Sequence, residues 1–320
     1  MLNKVALLVA KTRNVHKKTL NRNLKSNLFL LLLALPFLIY TFVFKYIPMV
    51  GIVMAFQRFV SYLGIFGSPW VGFKNFELLF TSPDAWIITR NTILYNGAFI
   101  MLTTLCSVTI SMLLFNIGNR AALKFYQTTM LFPHFLSWVV IAFIAYSFLN
   151  SDYGILNQLL KLLGFESISW YNKSEAWIFI LPLASVWKSV GYNIMMYYAN
   201  LLSIDSEYFE AAKLDGANWW QISTKIMLPF MLPLITLLFI LQVGQIFNAD
   251  FGLFYQLPMG SPSILNTTDV IETYIFRALR ELGNVNVASA VGLYKSFVGF
   301  VLVIVTNLIV RKIEPDNALF

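Results

Sequence analysis

Long apolar segments separated by short polar stretches account for most of this chain. Six of them are long enough to cross a bilayer core of about 30 Å as helices. They cover residues 28–44, 92–115, 125–149, 176–202, 226–247 and 288–310. None of these segments contains an Asp or a Glu. The pattern predicts an all-α, polytopic membrane protein with six transmembrane helices.

A polar insert at residues 203–222 interrupts this pattern between the fourth and fifth segments. Asp205 or Ser206 can cap a first short helix, and Gly216 permits a turn into a second one because it has no Cβ. The alanines around this glycine leave room for another surface to approach closely. The insert therefore predicts two short helices that a partner outside the membrane holds. The alternative is a solvated amphipathic loop whose Glu210 and Asp215 are ordinary surface charges.

Composition and charge agree with a membrane protein and give it an orientation. The chain is 58% hydrophobic and 12% charged, with a mean hydropathy of +0.69, which is outside the usual range of soluble domains. The stretch before the first segment carries Lys4, Lys11, Arg13, Lys17, Lys18, Arg22 and Lys25 and no acidic residue. Basic residues favour the cytoplasmic side. Six crossings then place both chain ends, the loop of Arg120 and Lys124, and the polar insert in the cytoplasm.

The basic N-terminal stretch has two readings. Residues 1–10 are mostly apolar and the next fifteen are basic, which suits a helix lying on an anionic membrane surface. The same charges also serve simply to orient the first crossing. The apolar run 28–44 is long and has no small-x-small cleavage site, so it is read as a membrane helix and not as a cleaved signal peptide.

Residue types that carry catalysis or bind metals are sparse. Cys106 is the only cysteine, and His16 and His134 lie far from each other and from any carboxylate cluster. No Gly-rich phosphate loop and no Gly-x-Ser-x-Gly motif is present. The sequence therefore predicts no metal site, no ATP hydrolysis by this chain and no enzymatic activity.

The insert resembles a known loop. Residues 210–217 read Glu-Ala-Ala-Lys-Leu-Asp-Gly-Ala, and Leu228-Pro229 follow at the next apolar run. This arrangement is similar to the EAA loop of permease subunits in ATP-binding-cassette (ABC) importers. Residues 45–56, 70–76, 91–92 and 153–157 resemble sugar permeases of the maltose-permease type. Residues 269–274, 290–293, 307 and 319–320 resemble the subgroup that imports oligosaccharides from complex or acidic polysaccharides, such as the first permease of alginate importers.

The resemblance implies the architecture of a type I ABC importer permease with cytoplasmic coupling helices. Its divisions would be a basic tail 1–27, a first helix and outer loop 28–90, a permease domain 91–311 with the coupling loop 203–222, and a tail 312–320. Implied partners are a second homologous permease, two ABC ATPases, an extracytoplasmic solute-binding protein, an oligosaccharide and membrane lipid, without nucleic acid. ATP and Mg would bind to the ATPase, and this chain would hold no cofactor. The implied ATPase-coupling residues are Glu210, Ala211, Ala212, Asp215, Gly216 and Ala217.

Polar residues within the apolar segments indicate a substrate path. A Lys at the bilayer centre costs about 2.5 to 3.5 kcal/mol on insertion scales, so Lys188 and Lys295 are expected to face a wet cavity or a partner. Amides suit sugar hydroxyls, and aromatic rings suit the C–H face of a sugar. The substrate-path candidates are Trp187, Lys188, Asn193, Tyr197, Gln242, Gln245, Asn248 and Lys295.

Structural roles compete with this interpretation. Lys188 could donate hydrogen bonds to carbonyls of a neighbouring helix, Lys295 could extend to the membrane interface, and the amides could join the two permeases. If both lysines face the cavity, an acidic oligosaccharide such as a uronate is favoured over a neutral one. The other function classes are an ion-coupled sugar carrier or membrane enzyme, and a structural or receptor-like protein. Absence of acids from the segments disfavours the former, and the insert disfavours the latter.

Overall fold

A computed structural model describes residues 28 and 30–313 of this chain. The predictions for the tails, residues 1–27 and 314–320, lie outside these described residues. The chain divides into two compact units, residues 1–53 and 54–320. All sites described below belong to the second unit.

Helices make up nearly all of the described chain, and its only β-type pairing is an isolated antiparallel bridge between Gln57 and Trp70. The helices are α1 (Leu30–Phe56, ending in π and 3-10 turns), α2 (Gly64–Gly67), α3 (Lys74–Thr81), α4 (Pro83–Phe115), α5 (Arg120–Leu131), α6 (Trp138–Leu149), α7 (Ile155–Leu162), α8 (Ser174–Leu202), α9 (Ser206–Leu214), α10 (Trp219–Ile222), α11 (Leu228–Gly244), α12 (Phe251–Gln256), α13 (Leu265–Thr268), α14 (Ile271–Arg280) and α15 (Val285–Ile313). Short 3-10 helices cover Phe132–Phe135, Trp170–Asn172 and Pro262–Ile264, and a π turn, Ser223–Met227, joins α10 to α11.

Five helices of the described chain are long and apolar enough to span a membrane, and a sixth span is formed if a bent pair is counted as one. The five are Leu30–Phe56, Pro83–Phe115, Ser174–Leu202, Trp219–Gly244 and Val285–Lys312. The bent pair, Arg120–Phe135 and Trp138–Leu149, turns through 100°. The third predicted segment, 125–149, is therefore divided between two helices, α5 and α6, with a break at residues 132–137. Pro133 has no N–H to donate within a helix, and Ser137 starts α6 by accepting from Val140 N at 3.3 Å.

Three helix boundaries also differ from the prediction. Helix α4 begins at Pro83 rather than at residue 92, with Asp84 in its first turn, and α8 carries Glu175 in its first turn. Hydropathy alone misses such polar ends because they are helical but not apolar. Helix α11 ends at Gly244, before the predicted end at residue 247.

Helix α8 is the central packing element, with α4 along one side and α5 along another. Gly191 permits the contact with α5, because a Cβ at this position would collide with the Met130 carbonyl. Close approach through small residues is a common way for helices to pack in membranes, where lipid removes most of the hydrophobic driving force. Helix α8 also supplies fully buried residues to two apolar clusters, one around Trp177 and Leu181 and the other around Tyr197 and Leu201.

Buried asparagines fix the connecting segments. Asn157 on α7 has no exposed surface, donates from Nδ2 to the carbonyls of Asn150, Ser151 and Ile168, and accepts from Ile168 N. Asn91 donates to the carbonyls of Asn266 at 3.1 Å and Asp269 at 2.9 Å. These side chains replace the backbone pairing that irregular segments lack.

Candidate functional sites: the 203–222 loop and a membrane cavity

The loop between α8 and α11 folds as two short capped helices, which confirms the local prediction. Asp205 Oδ1 accepts from Glu207 N at 3.1 Å and so caps α9. At the other end Gly216 adopts a φ of +75°. Its N–H donates to Lys213 O at 3.1 Å, and Ala217 N donates to Ala212 O at 2.9 Å. These two bonds form a Schellman motif with Gly216 at the left-handed position.

The second short helix, α10, has its own cap. Asn218 Oδ1 accepts from Gln221 N at 2.9 Å, and Asn218 N donates to Gln221 Oε1 at 2.8 Å. This reciprocal pair is a capping box. Sequence analysis did not single out Asn218, although its spacing of three from Gln221 is the signal for it.

One side of α9 is anchored and the other is free. Phe209 is buried and its ring lies 5.1 Å from that of Phe115 on α4, measured between centroids. Glu210, Ala211, Asp215 and Gly216 are exposed, whereas Ala212 and Ala217 are half-buried against the apolar cluster below. Leu214 is 89% exposed. The implied coupling residues therefore form one face, with an apolar side chain projecting from it.

A concave surface lies beside this face. Ala212, Asp215, Gly216 and Ala217 line a cavity of about 270 Å³ together with α10 and Lys225. Four of the six implied coupling residues thus share one surface depression.

A second, polar cavity lies between α4, α8 and the end of α11. Its volume is about 370 Å³. Its lining consists of Asn96, Phe99, Ile100, Thr103, Ser185, Ser189, Asn193, Gln242, Gln245, Ile246 and Asn248. No lining side chain is charged. The structure therefore brings together Asn193, Gln242, Gln245 and Asn248, half of the predicted substrate-path set.

Gln242 and Gln245 are three residues apart but do not share one helix face. The helix has ended by Gln245, whose N–H donates to Gln242 O at 3.0 Å in a tight turn. Asn96 Nδ2 on α4 then donates to Ile246 O at 2.6 Å. This bond holds the turn against α4. Both glutamines line the cavity, Gln242 from the last turn of α11 and Gln245 from the turn that follows the helix.

The small hydroxyl residues of the lining, Thr103, Ser185 and Ser189, were not among the predicted candidates. Ser185, Ser189 and Asn193 follow one another at intervals of four residues. They therefore form a polar stripe on one face of α8. Asn96 and Thr103 on α4 are likewise seven residues apart. Spacing of small polar residues within apolar helices was the available signal.

Lys188 does not line this cavity. Its Nζ donates to His134 O at 2.9 Å and to Leu136 O, and it lies 5.3 Å from the centre of the Trp138 ring. The carbonyls belong to the break between α5 and α6, where a proline and a turn leave backbone acceptors unpaired. The structural alternative considered for Lys188 is therefore the arrangement observed.

Lys295 does not line the cavity either. It pairs with Glu272 on α14, with Nζ to Oε1 at 2.8 Å. Glu272 reaches Lys295 from another element, so hydropathy along α15 alone does not reveal it. Of the remaining candidates, Trp187 is 43% exposed and Tyr197 is buried in the apolar cluster of Leu201 and Phe209.

A second ion pair stabilises the segment before α14. Asp269 is buried and accepts from Thr273 Oγ1 at 2.7 Å and from Arg277 Nη2 at 2.5 Å. Burial raises the pKa of the Asp269 carboxyl above its usual value, and the Arg277 guanidinium and the Thr273 hydroxyl lower it in part. Among the described residues, no group of three or more His, Cys, Asp or Glu side chains could hold a metal ion.

The sequence of this chain is similar to a known family of transport proteins. The family model for binding-protein-dependent transport system inner membrane components matches residues 100–316. The chain belongs to this family. The permease is 33% identical to a polygalacturonan/rhamnogalacturonan transport system permease protein of Bacillus subtilis, over 90% of its own chain and 89% of that protein.

Two solved structures are also similar to the permease. The crystal structure of a bacterial ABC transporter involved in import of the acidic polysaccharide alginate contains a chain with a TM-score of 0.83 and 29% identity, covering 92% of the permease and 99% of that chain. A bacterial alginate ABC transporter in complex with an alginate pentasaccharide-bound periplasmic protein gives a TM-score of 0.82 and 28% identity, covering 91% and 97%. The predicted type I ABC importer permease fold is therefore confirmed.

Family membership decides among the function classes. The permease is an inner-membrane, multi-pass component of a binding-protein-dependent ABC import system. It is a translocation subunit and not an enzyme. The ion-coupled carrier, the membrane enzyme and the purely structural protein are set aside.

Proposed function

We propose that the permease carries oligosaccharides across the inner membrane and that the cavity between α4, α8 and α11 is part of their path. The observation that carries this proposal is the cavity lining, which combines amides and hydroxyls with the ring of Phe99 and has no charge. Sugar hydroxyls need both donors and acceptors, and the C–H face of a sugar packs on an aromatic ring. The relatives named for polygalacturonan and alginate support the substrate class.

The proposed substrate is an acidic oligosaccharide, such as a uronate. Support for the acidic class comes from those relatives and not from Lys188 and Lys295, because each lysine is engaged by protein groups. In this proposal the cavity holds hydroxyl groups and ring faces.

The proposed assembly contains a second homologous permease, two ABC ATPases that bind ATP and Mg, and a solute-binding protein. The 203–222 loop would dock on an ATPase through Glu210, Asp215 and the projecting Leu214. Both chain ends and this loop would lie in the cytoplasm, with Arg120, Lys124, Arg311 and Lys312, since basic residues favour that side. ATP-driven closure of the ATPases would then alternate the access of the cavity.

Affinity purification of tagged permease from its native membrane tests the assembly. Wild type should retain an ATPase and a second permease, and Glu210→Lys should retain less ATPase because the change reverses a charge on the docking face. Glu207→Lys is the matched control, since it reverses an exposed charge three residues earlier on α9. Equal ATPase retention by both variants and wild type would remove Glu210 from the contact.

Uptake measurements test the cavity. Asn193→Ala and Gln242→Ala should each raise the KM for uptake of galacturonate or alginate oligosaccharides about tenfold, the factor for roughly 1.4 kcal/mol of lost binding. Asn116→Ala is the control, because Asn116 lies beyond the C-terminal end of α4, outside the cavity lining, and its side chain donates to Met112 O. Unchanged KM values in both cavity variants would contradict the proposed path.

A further inference from the structure

Residues 248–250, here called the linker, join the turn after α11 to α12, and each of the three has a different role. Asn248 is exposed on the cavity. Ala249 N donates to Glu272 Oε1 at 2.9 Å. Asp250 caps α12 through Gly252 N at 2.9 Å, and its Oδ2 accepts from Trp138 Nε1 at 2.6 Å. The linker is therefore held at Ala249 and at Asp250, the two residues that follow Asn248.

The first anchor of the linker is the bond from Ala249 N to Glu272, which in turn pairs with Lys295. Glu272 Oε1 accepts from both Ala249 N and Lys295 Nζ, while its Oε2 is buried without a partner among the described residues. The side chains of Lys295 and Glu272 are only 24% and 12% exposed. Glu272 Oε1 therefore joins the Lys295 ammonium to the linker N–H, and hydrogen bonds to a carboxylate in an ion pair are stronger than those between neutral groups.

The second anchor of the linker is the bond from Trp138 Nε1 to Asp250, and Lys188 lies over the Trp138 ring. Lys188 Nζ binds the carbonyls of His134 and Leu136 and lies over Trp138, the first residue of α6. Trp138 in turn donates to Asp250. A Cβ at position 252 would collide with the Trp138 ring, so Gly252 makes this approach possible. Lys188 therefore sets the start of α6, and α6 presents the indole that holds the linker.

We propose that Lys188 and Lys295 are positioning residues, which act through Trp138–Asp250 and Glu272–Ala249 to set where Asn248 stands in the cavity. The proposal rests on the proposed function of the cavity as substrate path. It gives both membrane lysines one task, which is to fix the linker from two sides. Substrate specificity at this edge of the cavity then comes from the uncharged amide of Asn248, whose position two half-buried lysines maintain.

A labelling experiment on the assembled importer in membrane vesicles tests the first anchor. Asn248→Cys is introduced with Cys106→Ala, so that it is the only thiol, and its rate of reaction with a hydrophilic maleimide is measured. Two double variants are compared. Lys295→Met with Glu272→Gln removes both charges but keeps an acceptor for Ala249 N. Lys295→Met with Glu272→Ala removes both charges and the acceptor, so neither variant leaves an unpaired buried charge.

The expected result is a change of about fivefold in the labelling rate at position 248 for the variant without an acceptor, the factor expected for one hydrogen bond, and a smaller change for the variant that keeps it. Trp138→Phe, which removes the indole N–H but keeps an aromatic ring, should change the rate in the same way through the second anchor. Asn193→Cys on α8 is the control thiol, since α8 does not carry the linker.

Equal labelling rates in all variants would overturn the proposal, and so would an equal change at positions 248 and 193, which would indicate general loosening of the cavity. Uptake separates this proposal from the proposed function. With Asn248 restored, the variant without an acceptor should raise the KM for galacturonate oligosaccharides more than it lowers the maximal rate. A labelling change at 248 with an unaffected KM would uphold the positioning of the linker and contradict the assignment of the cavity to the substrate path.

Discussion

Asparagine side chains have two different roles in this permease, one in the fold and one in the cavity lining. Asn157 makes all its hydrogen bonds to backbone groups of its own connecting segment, whereas Asn193 lines an open cavity. A buried amide that is fully paired stabilises the fold, and one that faces a cavity remains available to a ligand. The residue type alone therefore does not reveal the role.

Replacement of Asn157 by Leu should lower the free energy of unfolding by about 2 kcal/mol or more, because Ile168 N and the facing carbonyls would lose their buried partner. Thermal unfolding in detergent measures the loss. Asn172→Ala serves as the control, since Asn172 is exposed and bonds to Ser169 Oγ. Similar melting temperatures for the two variants would show that the Asn157 bonds contribute little.

The Asp269–Arg277 pair gives a prediction that depends on pH. Arg277→Met removes the main group that lowers the pKa of Asp269, so burial would raise that pKa further. A carboxyl whose pKa is higher folded than unfolded favours the folded state below the unfolded value and loses that contribution as the pH rises through the folded value. The melting temperature of Arg277→Met should therefore fall further below wild type at pH 8 than at pH 5.

Asp269→Asn combined with Arg277→Met is the matched variant for that measurement. It has no carboxyl to ionise at position 269, so the extra loss at pH 8 should disappear. If the single variant loses the same number of degrees at both pH values, the carboxyl does not titrate in that range.

At the scale of elements, the 203–222 loop is the part most completely specified by local sequence. Asp205, Gly216 and the Asn218–Gln221 pair each satisfy helix ends within a few residues. Such signals need no knowledge of the rest of the fold. The loop can therefore be predicted residue by residue.

Gly216→Val should disturb this element strongly, because a β-branched residue at a φ of +75° costs about 1–2 kcal/mol or more. Gly216→Asn should be tolerated better, since Asn adopts the left-handed region more readily. Substrate-stimulated ATPase activity of the reconstituted importer is the measurement. Gly118→Val provides the comparison, because Gly118 lies in another loop, without a positive φ or a close neighbour. Equal activity of the Val and Asn variants at 216 would contradict the role of the left-handed turn.

Other elements were predicted less well, for physical reasons. Hydropathy found every apolar core but not the polar first turns of α4 and α8, since helix formation continues where hydrophobicity ends. The 100° bend in the third segment was not predicted, and the Lys188 side chain that bonds to a carbonyl at this bend comes from α8, far along the chain. The Lys295–Glu272 pair needed the packing of α14 on α15. Four of the eight substrate-path candidates line the same cavity. Polar side chains are unfavourable against lipid, so polarity within an apolar segment was a usable signal for them.

At the scale of the whole molecule, Leu214 is the most exposed of the large hydrophobic side chains on the proposed docking loop. Leu214 is 89% exposed, so it contributes little to the stability of the isolated permease. Leu214→Asp should leave the fold intact and reduce ATPase retention about tenfold, because a central apolar contact with a partner contributes roughly 1–2 kcal/mol.

Leu162→Asp is the matched control for that purification. Leu162 is 83% exposed at the end of α7 and would lie on the opposite side of the membrane. Loss of ATPase from both variants would point to general instability, and loss from neither would exclude Leu214 from the interface.

The helical segment that leaves the loop and reaches the cavity covers the 26 residues of Trp219–Gly244, including the π turn Ser223–Met227. At about 1.5 Å per residue it is about 39 Å long. One end belongs to the loop, and Gln242 is close to the other end. A tilt of about ten degrees about the loop end would displace the cavity end by about 7 Å. In the proposed assembly, a small rotation at the ATPase contact would therefore change the width of the proposed pathway by several ångströms.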